Sequence, residues 1–228
     1  MAQLIARRRQ GMQSYSRVNT FGTYTNDNIF IKQHRFKKEH IDELVTLLDP
    51  YLVDGSASSS WIIPKREQVL IGIEYLSSNS HQSIIAAKHG VSQKSVSNII
   101  TRVIDGLCDP VIVNRFISFD VADPAFVQRK AREFERLAGL PNVIGAADGC
   151  LVRLHYSPSV NGASFRSRKG FCSLNVLAIV DAFGSFLYLN PRFPGSCHDS
   201  YIWQRSSALA KMQQHLGGDY AVIADKGF

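Results

Sequence analysis

Three aspartates stand at the ends of short apolar runs: Asp148 in NVIGAADGC, Asp199 in RFPGSCHDS and Asp225 in YAVIADKGF. Carboxylates that converge from several strand ends hold divalent cations, and paired cations promote phosphodiester chemistry. Each aspartate also has a plainer reading. Asp148-Gly149 between apolar runs is a strong hairpin signal. Asp199 suits the N-cap of a helix, and Asp225, followed by Lys226-Gly227, suits a strand-end turn. Asp181, in AIVDAFGSF, reads as a hairpin-turn residue with Gly184 and stays outside the set. His198 beside Asp199 reads as a surface histidine.

The elements that must position these acids lie after Pro141. There the chain turns to short apolar runs rich in β-branched and aromatic residues, at 142–147, 151–156, 172–180, 185–190 and 220–224. One helical stretch, about Ser200 to Gln214, interrupts them. Before Pro141 the periods are helical. Phe36, Ile41, Leu44, Val45, Leu47 and Leu48 fall on one face of a helix closed by Pro50. Val69, Leu70, Ile73 and Leu76 make the stripe of a second helix after Pro64. Pro124 suits the first turn of a third, with Phe126, Val127, Phe134 and Leu137 inside and Gly139 and Pro141 ending it. The fold class expected is thus a helical N-terminal region followed by an α/β region with a mixed sheet.

Within the helical region, residues 82–101 read QSIIAAKHGVSQKSVSNIIT. A helix-turn-helix needs a small residue where its helices cross, a turn that tolerates a left-handed backbone, and a branched residue packing back. Ala86, Gly90 and Val96 fill those places, with Ile85, Val91 and Ile99 apolar and Ser92 as N-cap. The outward residues Gln93, Lys94, Ser97, Asn98 and Arg102 then face a DNA groove. An ordinary helix pair with a glycine turn carries the same pattern. The helix-turn-helix is expected over 82–104.

The bulk numbers agree with a polyanionic partner. The 228 residues carry a formal net charge of +7 and are 45% hydrophobic, enough apolar content for a packed core. Residues 1–30 are polar, carry Arg7, Arg8, Arg9 and Arg17, and read as a basic flexible arm, with a frayed terminus as the plainer account. Cys108, Cys150, Cys172 and Cys197 form no CxxC pair, which argues against a zinc knuckle and for reduced, buried thiols. MAQLIA, followed at once by three arginines, is too short for a signal sequence, and no stretch reaches the roughly 18 apolar residues of a membrane span.

Four phrases, VIGAADGCLVRL, FRSRKGFCSLNVLAIVD, PGSCHDSYIW and VIADKGF, resemble in order and spacing the PIF/Harbinger transposases and the nuclease domesticated from them. The resemblance covers about residues 36–228. It implies an RNase H-like DDE endonuclease domain over 141–228 after a helical region over 31–140. Strands are then expected at 143–156, 172–181 and 185–192, a helix at 199–214 and a fourth strand at 219–225. It further implies that Asp148 and Asp225 are the catalytic acids, that Asp148, Asp199 and Asp225 bind Mg²⁺ or Mn²⁺, and that two ions about 3.5–4 Å apart bridge the scissile phosphate. DNA as substrate, a Myb-like DNA-binding partner, and residence in the nucleus and also the cytoplasm follow from the same likeness. Leu177 stands where the family often has Gln, and Lys226 where it often has Ser. The family's closing glutamate has no counterpart in these residues. The expectation is therefore a shortened chain, less stable than its relatives, with an exposed fourth-strand edge and a weak or inactive site. The competing expectation is a non-enzymatic DNA-binding or adaptor protein that keeps the fold.

Overall fold

The computed structural model describes Gly22, residues 26–54 and residues 63–225, so the arginines of the expected arm and Lys226 lie outside the described residues. The chain divides into two units, Met1–Ile112 and Val113–Phe228.

The first unit is helical throughout its described residues. Helix α1 (Asp27–His34) starts inside the segment expected to be an arm. The Asn26 side chain caps it by accepting from the Asn28 N–H (2.9 Å), and Phe30, fully buried, anchors it. Arg35 in the left-handed region (φ 64°) ends it. Phe36, expected in a buried stripe, follows in the connection and is 36% exposed. Helix α2 (Lys38–Leu47) leads into a 3₁₀ turn at Asp49–Tyr51, where Pro50 cannot continue the helix. Helix α3 (Lys65–Ser78) follows Pro64 as expected. Its Val69, Leu70, Ile71 and Ile73 are buried, but Leu76 points outward at 52% exposure. Helices α4 (Gln82–His89) and α5 (Gln93–Leu107) follow, and α6 (Pro110–Phe116) spans the division between Ile112 and Val113. Phe30, Ile41, Leu48, Leu70, Ile71, Ile85, Val96 and Val103 share one core. A Cβ at Gly72 would strike the Val103 side chain, so the crossing of α3 and α5 depends on that glycine.

A charged network lies inside this unit. His89, 2% exposed, sits between two carboxylates: its ring nitrogens reach Glu67 Oε2 (3.2 Å) and Glu74 Oε2 (3.0 Å). Lys88 Nζ donates to Glu74 Oε1 (2.8 Å). Burial alone would raise Glu74, but hydrogen bonds from His89 and Lys88 outweigh it and hold the carboxyl at about 2. Burial would lower His89, but the two glutamates outweigh it and raise the imidazole. His34, against the Phe30 carbonyl (3.1 Å), is lowered by burial.

The second unit opens with α7 (Pro124–Ala138), capped by Asp123 and ended by Gly139 at φ 65°. Pro124 occupies its first turn, as expected, but Leu137 is 63% exposed rather than buried. Four strands follow: β1 (Val143–Arg153), β2 (Ser173–Val180), β3 (Phe186–Pro194) and β4 (Ala221–Ile223). They form a mixed sheet in the order β3-β2-β1-β4, with β1–β2 and β2–β3 antiparallel and β1–β4 parallel. Between β3 and β4, the single helix expected over 199–214 is broken into α8 (Asp199–Gln204) and α9 (Ser207–His215). Ser206 breaks it, because its side chain accepts from the Leu209 N–H (3.1 Å) and so starts a new helix.

Strand β2 alternates buried and half-buried residues along its length, the pattern of a sheet with one face on a core. Leu177, Ile179, Leu187 and Ile144 from the strands gather with Ile202, Ala208 and Leu216 from α8, α9 and their end, and with Phe126 and Val127 from α7. Each such side chain contributes on the order of 1.5–3 kcal/mol by leaving water. Asp181 closes the β2–β3 hairpin: its Oδ1 accepts from the Phe183 and Ser185 N–H groups, and its Oδ2 pairs with Lys130 at 2.8 Å. The buried thiols expected are not found: Cys108 and Cys150 are exposed and Cys172 and Cys197 half-buried, and all four are free. No helix among the described residues is long and apolar enough to cross a membrane.

Candidate functional site

Asp148 lies in the middle of β1, where it pairs with Ala178. The hairpin reading of Asp148-Gly149 therefore fails: the strand runs on in register with β2 as far as Arg153. The carboxylate is exposed, and its Oδ1 accepts from the Gly149 N–H at 2.7 Å. Strand β4 pairs with β1 in parallel, ending at Ala146 opposite Ile223. Asp225 follows the last paired residue of β4, Ile223, by two positions, as Asp148 follows its partner Ala146 on β1. Asp225 is exposed as well.

Asp199 is the first residue of α8, and His198, exposed, holds the cap position that Asp199 was expected to take. Its carboxylate is held by a different device. Asn175 Nδ2 donates to Asp199 Oδ1 (2.7 Å) and to the Cys197 carbonyl (3.0 Å). The same carboxylate lies against Gly149, in the space that any Cβ there would occupy. Gly149 therefore admits Asp199 to the strand. Strand alternation turns Asp148 to the other face, so Asp199 and Asp148 reach β1 from opposite sides. Asn175 is 5% exposed, and its Oδ1 has no hydrogen-bond partner among the described residues.

Gly149, Leu151, Asn175, Arg168 and residues 195–199 line a cleft around Asp199. Gly195 on its wall is packed against Ser173, and its N–H donates to the Ser173 carbonyl at 2.8 Å. Burial pushes the Cys197 thiol up, which disfavours a thiolate nucleophile there. Among the described residues no group of three or more His, Cys, Asp and Glu side chains gathers closely enough to hold a cation. Asp148 thus stands on β1 and Asp225 two residues past β4, while Asp199 lies in a cleft reached from the other side of β1. Asn175 and Gly149 were not foreseen as site residues. The signal in the sequence was a lone amide inside the apolar run SLNVLAIV.

The other candidate surface belongs to the helical unit. Gly90 joins α4 to α5 in the left-handed region (φ 62°), and Ser92 caps α5 by accepting from the Ser95 N–H (3.1 Å). Ala86 and Val96 are buried between the helices. Gln93, Lys94 and Asn98 are exposed, and Ser97 and Arg102 half-buried. Asn98 and Arg102 line a shallow hollow with Gln68 and Ser95.

Residues 147–228 match a family described as DDE superfamily endonuclease. Over 202 residues the chain is 32% identical to the Mus musculus protein named "Putative nuclease HARBI1", covering 89% of this chain and 56% of that protein. The Homo sapiens protein of the same name is 31% identical over the same shares. "Protein ALP1-like" of Arabidopsis thaliana is 25% identical over 215 residues, 90% of this chain and 51% of that protein. The chain spans about half the length of the curated relatives it matches. No solved structure matches it. The four ordered phrases and the mixed sheet that carries Asp148 accord with these matches, and the chain is similar to Harbinger transposase-derived nucleases.

Proposed function

We propose that the chain is a metal-dependent DNA endonuclease of transposase descent that hydrolyses phosphodiester bonds with the acids of a DDE site. The observation that carries this reading is the parallel β1–β4 pairing, beyond which Asp148 and Asp225 each stand two residues past the pair Ala146–Ile223. The strand order β3-β2-β1-β4 supports reading residues 141–228 as part of an RNase H-like domain. Hard carboxylate oxygens on adjacent strands suit Mg²⁺ or Mn²⁺. Asp148 would be the shared ligand and Asp225 the second, with Asp199 left out of their ion because it reaches β1 from the other side. When bound, the ions supply Lewis-acid polarisation of the phosphate and an activated water. The carboxylates hold charge and shape and transfer no proton of their own. Asn175 fixes the Asp199 rotamer, and Gly149 keeps the strand open to it.

A supercoiled plasmid incubated with the protein and Mn²⁺ tests the reading. Nicking that is weak, metal-dependent and abolished by Asp148→Asn is expected. Unchanged nicking by Asp148→Asn would contradict it.

The second reading is a DNA-binding or adaptor protein, favoured by the exposed start of α5 with Gln93, Lys94 and Asn98 beyond the Gly90 turn. On that reading α4 and α5 form a helix-turn-helix, Arg102 and Ser97 add to the DNA interface, and a Myb-like protein is the expected partner. Duplex binding that needs Lys94 and Arg102, with no metal-dependent cleavage, favours it over the nuclease.

A further inference from the structure

We propose that the turn Ser167–Gly170 is a phosphate clamp that holds the DNA backbone beside the Asp199 cleft. The inference rests on the nuclease reading for its substrate and goes beyond it in assigning Arg168 and Lys169 to the phosphates. The turn is built rather than loose. Ser167 is 5% exposed, and both its N–H and its Oγ donate to the Phe171 carbonyl at 2.9 Å. Gly170, at φ 83°, donates its N–H to the Ser167 carbonyl (2.9 Å), closing a four-residue turn. An isolated bridge between Arg166 and Cys172 secures its base. Everything that fixes the turn is backbone or buried hydroxyl. The two residues at its tip, Arg168 and Lys169, are exposed.

Their charge is unspent. Neither makes an ion pair among the described residues, although Arg168 lines the same cleft as Asp199. A cation whose task was to neutralise the acid would sit on it. A phosphodiester brought to the Asp199 carboxylate meets repulsion, and fixed cations in the same cleft offset it. Arg suits the task because its planar fork binds two phosphate oxygens at once, and Lys adds a point charge. A turn pinned at Ser167 presents both with little left to order on binding.

The salt dependence of duplex binding tests this. Affinity of the purified chain for a fluorescent DNA duplex is measured over a series of salt concentrations, without metal. The slope of log affinity against log salt falls by about 0.9 for each duplex phosphate that the protein no longer neutralises. Arg168→Ala with Lys169→Ala should make the slope shallower by about 2, while Arg168→Lys alone keeps it. Arg136→Ala with Lys211→Ala, two exposed cations of the same unit on α7 and α9, is the control and should leave it nearly unchanged. Thermal melts that match the parent show that the turn variants are folded. An unchanged slope in the folded turn variant, or an equal fall in the control, overturns the clamp. Nicking assayed on the same samples separates the two ideas: a slope change in a parent that never nicks supports the clamp and sinks the nuclease, and nicking with an unchanged slope does the reverse.

Discussion

Glu74 of the helical unit and Asp148 of the α/β unit are both carboxylates on regular elements, yet Glu74 is 8% exposed beneath His89 and Lys88 while Asp148 stands exposed on its strand. In the first unit Lys37, Lys38, Lys65, Arg66 and Lys88 all have acidic partners. In the second, among the described residues, Lys130 is the cation with ion-pair partners, and it takes the structural acid Asp181. The difference separates charges that hold a fold together from charges left available to a ligand. Acids consumed by internal partners cannot hold a metal, and cations consumed by acids cannot hold phosphate.

The comparison can be broken most forcefully at Glu74. Glu74→Ala leaves His89 and Lys88 without the buried carboxylate they share and should cost the helical unit about 3–5 kcal/mol. Asp148→Asn, on an exposed group, should change stability by no more than about 0.5 kcal/mol. Hydrogen exchange resolved to peptides of α3, α5 and β1 reads both, and comparable losses would erase the distinction. Gly149→Ala comes next. Its methyl group collides with the Asp199 carboxylate, so the α/β unit should lose about 1–3 kcal/mol while the helical unit is untouched. Denaturation followed by the same exchange peptides checks the selectivity.

The pH response sharpens the contrast further. Glu74 is held at about 2, below its ordinary 4.5, so its contribution is complete above pH 4.5 and is lost as pH falls towards 2. His89 is raised above 6.5, so its contribution is complete below 6.5 and is lost as pH rises through its higher folded value. His34, lowered by burial, acts in the opposite sense to His89. Glu74→Gln should remove the acid-side loss between pH 4.5 and 2 in the helical unit, as read by urea midpoints across that range. Retention of that loss would show that other carboxylates cause it. The smallest effect expected is at the start of α5. Lys94→Ala should weaken duplex binding evenly across sequences and reduce the salt slope by about 1, and an unchanged slope would remove α5 from the DNA interface.

Much of the scaffold was legible because its signals are local. The Pro124 helix start, the Gly90 turn with Ser92 as cap, and the apolar runs that became β1 to β4 each follow from residues within one turn or strand of each other. Boundaries moved where a local competitor intervened. Ser206 split the helix after β3, and the paired segment of β4 shrank to three residues from the seven expected over 219–225. The polar interior was not legible. Glu67, Glu74, Lys88 and His89 have the spacing of ordinary solvated faces, and only the packing of α3 against α4 and α5 buries them together. Gly149 was misread for the same reason. Its neighbour in sequence, Asp148, suggested a turn, while its neighbour in space, Asp199, needed the room. The parallel pairing of β4 with β1 joins segments more than seventy residues apart, which no local pattern encodes.

Metal-dependent thermal stabilisation tests the central claim, that Asp148 and Asp225 form one cation-holding pair, and it does so without requiring turnover. The melting temperature of the parent should rise with added Mn²⁺, because a ligand bound only by the folded state stabilises it by mass action. The rise should vanish in Asp148→Ala and equally in Asp225→Ala, and persist in Asp219→Ala, an aspartate before the same strand. A rise that survives both site substitutions, or a parent indifferent to Mn²⁺ at millimolar concentration, would contradict the account.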